Sequence, residues 1–252
     1  MEDNGFTLFK YNSRKNQNRR KRRTDIKQVS ADSVIELVED RVDTLKHSEF
    51  YSQLKEIIET CHISNLEDII CYGVGSFEQS RTSQFQLGLV LLLRESLKIK
   101  GKMYSYDPVL TKIDLEVLQH YDIELIKVNE QAKRKVTALT LFYMPHCGKT
   151  LYNNVLASNW SREDIKNVLL VGNRLEMYHE NEPTSKLRRE VPHILEALDL
   201  IKCSPFPEEF DTNTIFNDTC LHQFLPEKVE AAEDSVFEVE AVAEPENDPE
   251  LI

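Results

Sequence analysis

The run Asp68-Ile-Ile-Cys-Tyr-Gly-Val-Gly-Ser76 constrains the fold of this chain more than any other stretch. It reads as a buried strand that ends in a Gly-X-Gly turn and feeds a helix. Open α/β sheets begin their ligand crevice this way, because glycine lets the backbone turn sharply and admits a ligand near exposed N–H groups. Met103–Asp107, Ile123–Val128, Leu139–Met144 and Val168–Gly172 are further short apolar runs, each closed by polar or turn-forming residues. Between them lie helical patterns, and strands alternating with helices pair in parallel through right-handed crossovers. The expected fold is α/β: a Rossmann-like, doubly wound, mostly parallel sheet with flanking helices.

Two helices precede the first strand. Val34, Leu37, Val38, Val42 and Leu45 recur at spacings of three and four, and Phe50, Leu54, Ile57 and Ile58 share a second face. Their place is on the edge or flank of the sheet. After the Gly-X-Gly turn, Ser80–Lys98 is apolar on most sides, which predicts a helix buried at the centre of the domain. Thr111 followed by Asp114 makes an approximate capping box for the helix after the second strand.

The formal charge of −12 is unevenly placed. Residues 1–29 are expected to be a disordered basic arm with Arg19-Arg20-Lys21-Arg22-Arg23 at its centre, a candidate nuclear-import signal. Residues 226–252 are expected to be a disordered acidic tail, leaving an α/β domain over 30–225. The acidic middle argues against nucleic-acid binding by the core, since phosphate recognition depends on clustered Lys and Arg. The longest apolar block, Leu87–Leu93, is too short to span a bilayer. The N-terminus has no apolar h-region, and the five cysteines are scattered with no C-x-x-C. Those features predict a cytoplasmic and nuclear protein with free thiols, and no metal-ligand spacing of a recognised type.

Ligand sites in such sheets lie at the carboxyl ends of strands. Here those ends carry Gly73, Gly75, Asp107, Asn129, Glu130, His146 and Asn173, the candidate ligand-binding set. A nicotinamide dinucleotide fits poorly: Glu78 replaces the third glycine of its fingerprint, and Asp107 stands farther on than the about 20 residues that fingerprint uses. A nucleoside site for S-adenosylmethionine stays open, with Met144–His146 near the acceptor and His146 as a general base. The plainer alternative makes Gly-X-Gly a structural turn and His146 a buried residue bonded to backbone. Asn153, Asn154 and Trp160 are candidates for partner contact or base stacking, against helix capping and core packing.

Tyr72-Gly-Val-Gly75, Tyr106-Asp-Pro108, Asn129-Glu130, Thr140-Leu-Phe-Tyr-Met-Pro-His-Cys147, Leu151-Tyr-Asn-Asn154, Asn159-Trp160, Val171-Gly-Asn173 and Phe216-Asn-Asp-Thr219 carry a resemblance. From about Ile57 to Phe224 the chain resembles the SRR-like family, named for "sensitivity to red light reduced", and its SRR1-like domain. The resemblance implies a regulator in a circadian-clock input pathway, with links to clock-gene expression and to regulation of haem biosynthesis. It brings no catalytic residue set to carry over. For haem, His146-Cys147 is the one axial-ligand candidate, and Cys203-Ser-Pro205 stands where a Cys-Pro dipeptide would be wanted. Binding to unidentified protein partners is the first reading, an S-adenosylmethionine-dependent methyltransferase the alternative, and RNA binding by the basic arm a third.

Overall fold

A computed structural model describes residues 29–211 and 214–239. Strands β1 (Asp68–Tyr72), β2 (Met103–Tyr106), β3 (Ile123–Leu125), β4 (Thr140–Met144), β5 (Val168–Asn173), β6 (Ile201–Pro205) and β7 (Thr219–Phe224) form one sheet in the order β3-β2-β1-β4-β5-β7-β6. The first five pair in parallel, with Ile69 beside Met103 on one side and Leu141 on the other. β7 then runs antiparallel to both β5 and β6. The mostly parallel Rossmann-like arrangement is therefore present, with two strands more than the apolar runs announced.

Helices α1 (Ala31–Lys46), α2 (Glu49–Thr60), α3 (Arg81–Ser96) and α4 (Lys112–His120) cover one face. The other carries α5 (Lys149–Ser158), α6 (Glu176–Asn181), α7 (Thr184–Glu190), α8 (Pro192–Ala197) and α9 (Pro226–Ala231). With both faces covered, β1, β4 and β5 are apolar at nearly every position instead of alternating. Their residues divide by parity: Ile69, Cys71, Leu141 and Tyr143 join the core under α3, while Ile70, Tyr72, Phe142 and Met144 join the core under α5.

Helix starts follow the sequence. Ser30, Ser48, Ser80 and Thr111 each accept a backbone N–H in the first turn, and Asp114 completes the capping box by accepting from Thr111 N at 2.9 Å. α3 is buried almost all round because α1 packs over its outer side, with Val42 and Leu45 against Gly88. Of the two N-terminal helices, α1 thus lies outside α3, whereas α2 packs on the sheet itself: Phe50 stacks on Phe216, and Ile58 meets a small cavity lined by Leu169, Val171 and Leu221 of β5 and β7. Among the described residues, no helix is long and apolar enough to cross a membrane.

The expected disordered tail from Pro226 is corrected over residues 226–239, which hold α9 and a 3₁₀ turn at Asp234–Phe237. The acidic count conceals an apolar stripe: Val229 is fully buried, and Val236 and Phe237 pack against the α5-side core. Trp160 Nε1 donates to Val236 O at 2.8 Å, and Arg162 donates to Val229 O and Ala232 O, each at 2.6 Å. The basic run Arg19–Arg23 and residues 240–252 lie outside the described residues.

Candidate functional site

The order of the strands reverses at β1, whose neighbours β2 and β4 lie on opposite sides, and ligands in open α/β sheets bind at such a switch point. A cleft of about 210 Å³ opens there. Tyr72 and Gly73 come to it from the end of β1, Tyr106, Asp107 and Pro108 from β2, and His146, Cys147 and Gly148 from β4. Asn129, Ala132 and Leu151 close it. Of the seven strand-end candidates, Gly73, Asp107, Asn129 and His146 line the cleft, while Gly75, Glu130 and Asn173 stand behind it and hold lining residues in place.

Gly73 and Gly75 both have left-handed backbone, φ 68° and 81°. Their missing side chains leave room that the protein fills from within. A Cβ on Gly73 would lie 2.5 Å from Cys147 Sγ, and one on Gly75 would lie 2.5 Å from Ser83 Oγ. Asp107 locks the turn: Oδ2 accepts from Gly75 N at 2.7 Å and Oδ1 from Val109 N at 3.0 Å. Both carboxylate oxygens of the expected ribose-binding acid already serve backbone donors.

His146 is exposed, not buried, and its backbone is left-handed at φ 57°. Asn173 enforces that conformation: Oδ1 accepts from His146 N at 3.0 Å and Nδ2 donates to Cys147 O at 2.9 Å. The ring turns to Ile215 O, 3.0 Å from Nε2. A carbonyl only accepts, so Nε2 carries a hydrogen. Cys147 is buried, with its thiol donating to Tyr72 O at 3.4 Å. The two adjacent residues diverge, and no thiol–imidazole pair forms.

On the β3 side, Tyr72 donates its hydroxyl to Glu130, which Arg134 grips with two bonds of 2.7 and 3.0 Å. The guanidinium also lies over the Tyr104 ring, 5.0 Å from its centre. Burial, and then the Glu130 carboxylate, hold the Tyr72 phenol far above its ordinary pKa. Tyr72 therefore presents a neutral ring to the cleft.

The asparagines after β4 act within the chain. Asn153 Oδ1 accepts from His193 N at 3.0 Å, and Asn154 Nδ2 donates to Gln131 O at 3.0 Å. Asn159 accepts from Val136 N and donates to Arg134 O and Val155 O, all within 2.9 Å. Asn154 and Asn159 thereby fasten the 129–136 loop that closes the cleft, and Asn153 ties α5 to the start of α8. Trp160 is half-buried, edge-on to His193 at 5.2 Å.

One constellation that ligand spacing in the sequence does not show lies at the antiparallel end of the sheet. Cys203, Cys220 and His222 place their ligand atoms within 4.8 Å of one another. Cys220-x-His222 on an alternating strand was the available signal, but its third member comes from a separate strand.

The sequence matches the family described as the SRR1 domain over residues 36–223. An SRR1-like protein of Drosophila melanogaster is 31% identical over 187 residues, 74% of this chain and 66% of the relative. An SRR1-like protein of Mus musculus is 36% identical over 134 residues, 52% of this chain and 54% of the relative. The Arabidopsis thaliana protein SENSITIVITY TO RED LIGHT REDUCED 1 is 31% identical over 147 residues, 54% of each. The chain thus spans about half to two thirds of the length of these relatives. Among solved structures, the 23S rRNA methyltransferase ErmE aligns with TM-score 0.41 and 16% identity, covering 73% of this chain and 72% of its own. A Thermoplasma acidophilum protein aligns with TM-score 0.30 and 14% identity, covering 74% and 93%. Neither likeness is close enough to carry an argument about this chain.

Proposed function

This chain belongs to the SRR1 domain family, and from that premise we propose that it is a regulatory protein that acts by binding at the switch-point cleft. The observation that carries the reading is the cleft itself. Its lining converges from three strand ends, while its thiol, carboxylate and imidazole are each committed to a backbone group. Such a wall positions a ligand; it does not assemble a nucleophile beside a base. At about 210 Å³ the cleft falls below the roughly 300–1,000 Å³ of drug-sized pockets. It suits a single ring or a partner's side chain, contacted by Tyr72, Tyr106 and Leu151 and oriented by Asn129.

The regulatory process is proposed on the family resemblance and on the name of the Arabidopsis relative, which ties that protein to red-light sensitivity. In this reading the chain serves a circadian-clock input pathway, with effects on clock-gene expression and on regulation of haem biosynthesis. It would work in cytoplasm and nucleus, with Arg19–Arg23 as its import signal. A second reading, an S-adenosylmethionine-dependent methyltransferase, draws on the position of the cleft between Gly73 and Asp107. It requires a ribose hydroxyl to share Asp107 with Gly75 N and Val109 N, through the carboxylate's remaining lone pairs.

The test is a thermal-shift and calorimetric screen of the full chain with S-adenosylmethionine, S-adenosylhomocysteine, NAD, ATP, haem and short aromatic peptides, set against Tyr106→Ala. A true occupant at a hundred times its dissociation constant stabilises the fold by about 2.7 kcal/mol, and loses that effect in the variant. Methyl transfer from S-adenosylmethionine would replace the binding reading with the enzymatic one. Stabilisation that survives in Tyr106→Ala would move the site elsewhere.

A further inference from the structure

At the antiparallel end of the sheet, three ligating side chains that lie apart in sequence share one face. Cys203 of β6 stands opposite His222 of β7, and Cys220 stands two residues before His222, so strand alternation turns all three the same way. The two sulfurs and an imidazole nitrogen lie within 4.8 Å of one another. Cys220 and His222 are each 1% exposed, and Cys203 is half-buried on the edge strand. His222 Nε2 accepts from Leu175 N at a long 3.3 Å, and Nδ1 is buried with no hydrogen-bond partner. A buried polar atom without a partner calls for an explanation, and a ring in that state beside two sulfurs has one in a bound cation.

We propose that Cys203, Cys220 and His222 form a binding site for a thiophilic cation of the Zn²⁺ class. Two thiolates and an imidazole select zinc over magnesium or calcium, which prefer oxygen donors. The charges suit the burial: a divalent ion with two thiolates is neutral overall. Binding converts two thiols to thiolates and releases two protons to solvent, while the neutral imidazole donates a lone pair. Coordination through Nδ1 moves the ring hydrogen to Nε2, and the long contact from Leu175 opens. Three protein ligands leave a fourth corner. Cys220 also lines a cleft of about 330 Å³ with Arg174, Asp218 and Thr219.

Cobalt tests the site directly, as a coloured stand-in for zinc. Full-length chain, reduced and stripped of metal, is titrated with Co²⁺ and then back-titrated with Zn²⁺. The expected result is one equivalent of Co²⁺ bound with a sulfur-to-cobalt charge-transfer band, quenched by Zn²⁺, and two protons released per ion. Cys203→Ser and His222→Gln each lose the band or reduce it sharply, whereas Cys61→Ser keeps it. Circular dichroism checks that the variants fold. Should His222→Gln fail to fold, Cys203→Ser decides, since that side chain is half-buried on the edge strand. A Co²⁺ spectrum of wild type without the sulfur band overturns the proposal, as does a band of undiminished intensity in folded Cys203→Ser.

Discussion

The sulfur of Cys147 occupies the space that a side chain on Gly73 would need, 2.5 Å from the position of its Cβ. The end of β4 therefore packs into the turn after β1, and the two halves of the cleft share one joint. Gly73→Ala meets that sulfur and takes on a left-handed backbone, itself about 1–2 kcal/mol for an L-residue. Urea unfolding should show a loss larger than this backbone term. Cys147→Ala removes the obstructing atom, so the double variant should lose measurably less than the sum of the single ones. Strict additivity would show that the packing is not shared.

Asp107 serves two backbone donors, Gly75 N and Val109 N, with separate oxygens. Asp107→Asn keeps one acceptor oxygen and turns the other into a donor facing an N–H. The expected cost is about 1.5–3 kcal/mol, the range for hydrogen bonds to charged groups. Amide exchange at Gly75 or Val109 should quicken in the variant. An unchanged unfolding midpoint would mean that the turn holds without its carboxylate.

His193 is buried, and burial lowers its pKa to about 4. The unfolded chain takes up that proton near the ordinary value of about 6.5. The depressed folded value means that stability is full above about 6.5 and is lost as pH falls from there towards 4. Between pH 7.5 and 5.5 the single group accounts for about 1 kcal/mol. Denaturation at the two pH values should show His193→Leu with a slope shallower than wild type by that amount. Equal slopes would exclude His193 as a source of the acid sensitivity.

Trp160 is the chain's one tryptophan, and its indole is bonded to Val236 and tilted against Phe237. A chain cut after residue 225 loses both contacts along with the buried Val229. Its fluorescence should shift to the red, and its unfolding midpoint should fall relative to a chain cut after 239. Identical spectra would mean that residues 226–239 do not cover the indole.

What the sequence made legible was whatever depends on local pattern. Ile69–Tyr72 announced a buried strand, and Thr111 with Asp114 announced a helix start, because each signal lies within a few residues. β7 went unread although it lies inside the sheet. Thr219, Cys220, His222 and Gln223 interrupt its apolar residues, and its burial comes from partners on β5 and β6. Four of the seven strand-end candidates line one cleft. Their individual roles were hidden in distant partners: Gly75 with Asp107, His146 with Asn173, and Tyr72 with Glu130. The grouping of Cys203, Cys220 and His222 was hidden for the same reason, with Cys203 on another strand.

The sheet closes itself at both margins. At one side β3 offers only three residues, and at the other β6 places Lys202 and Pro205 in solvent. A proline has no N–H to give, and a lysine resists burial against a second sheet, so neither margin invites another strand. Edge-to-edge pairing of two such sheets is disfavoured at both margins, a property that a designer would otherwise have to engineer.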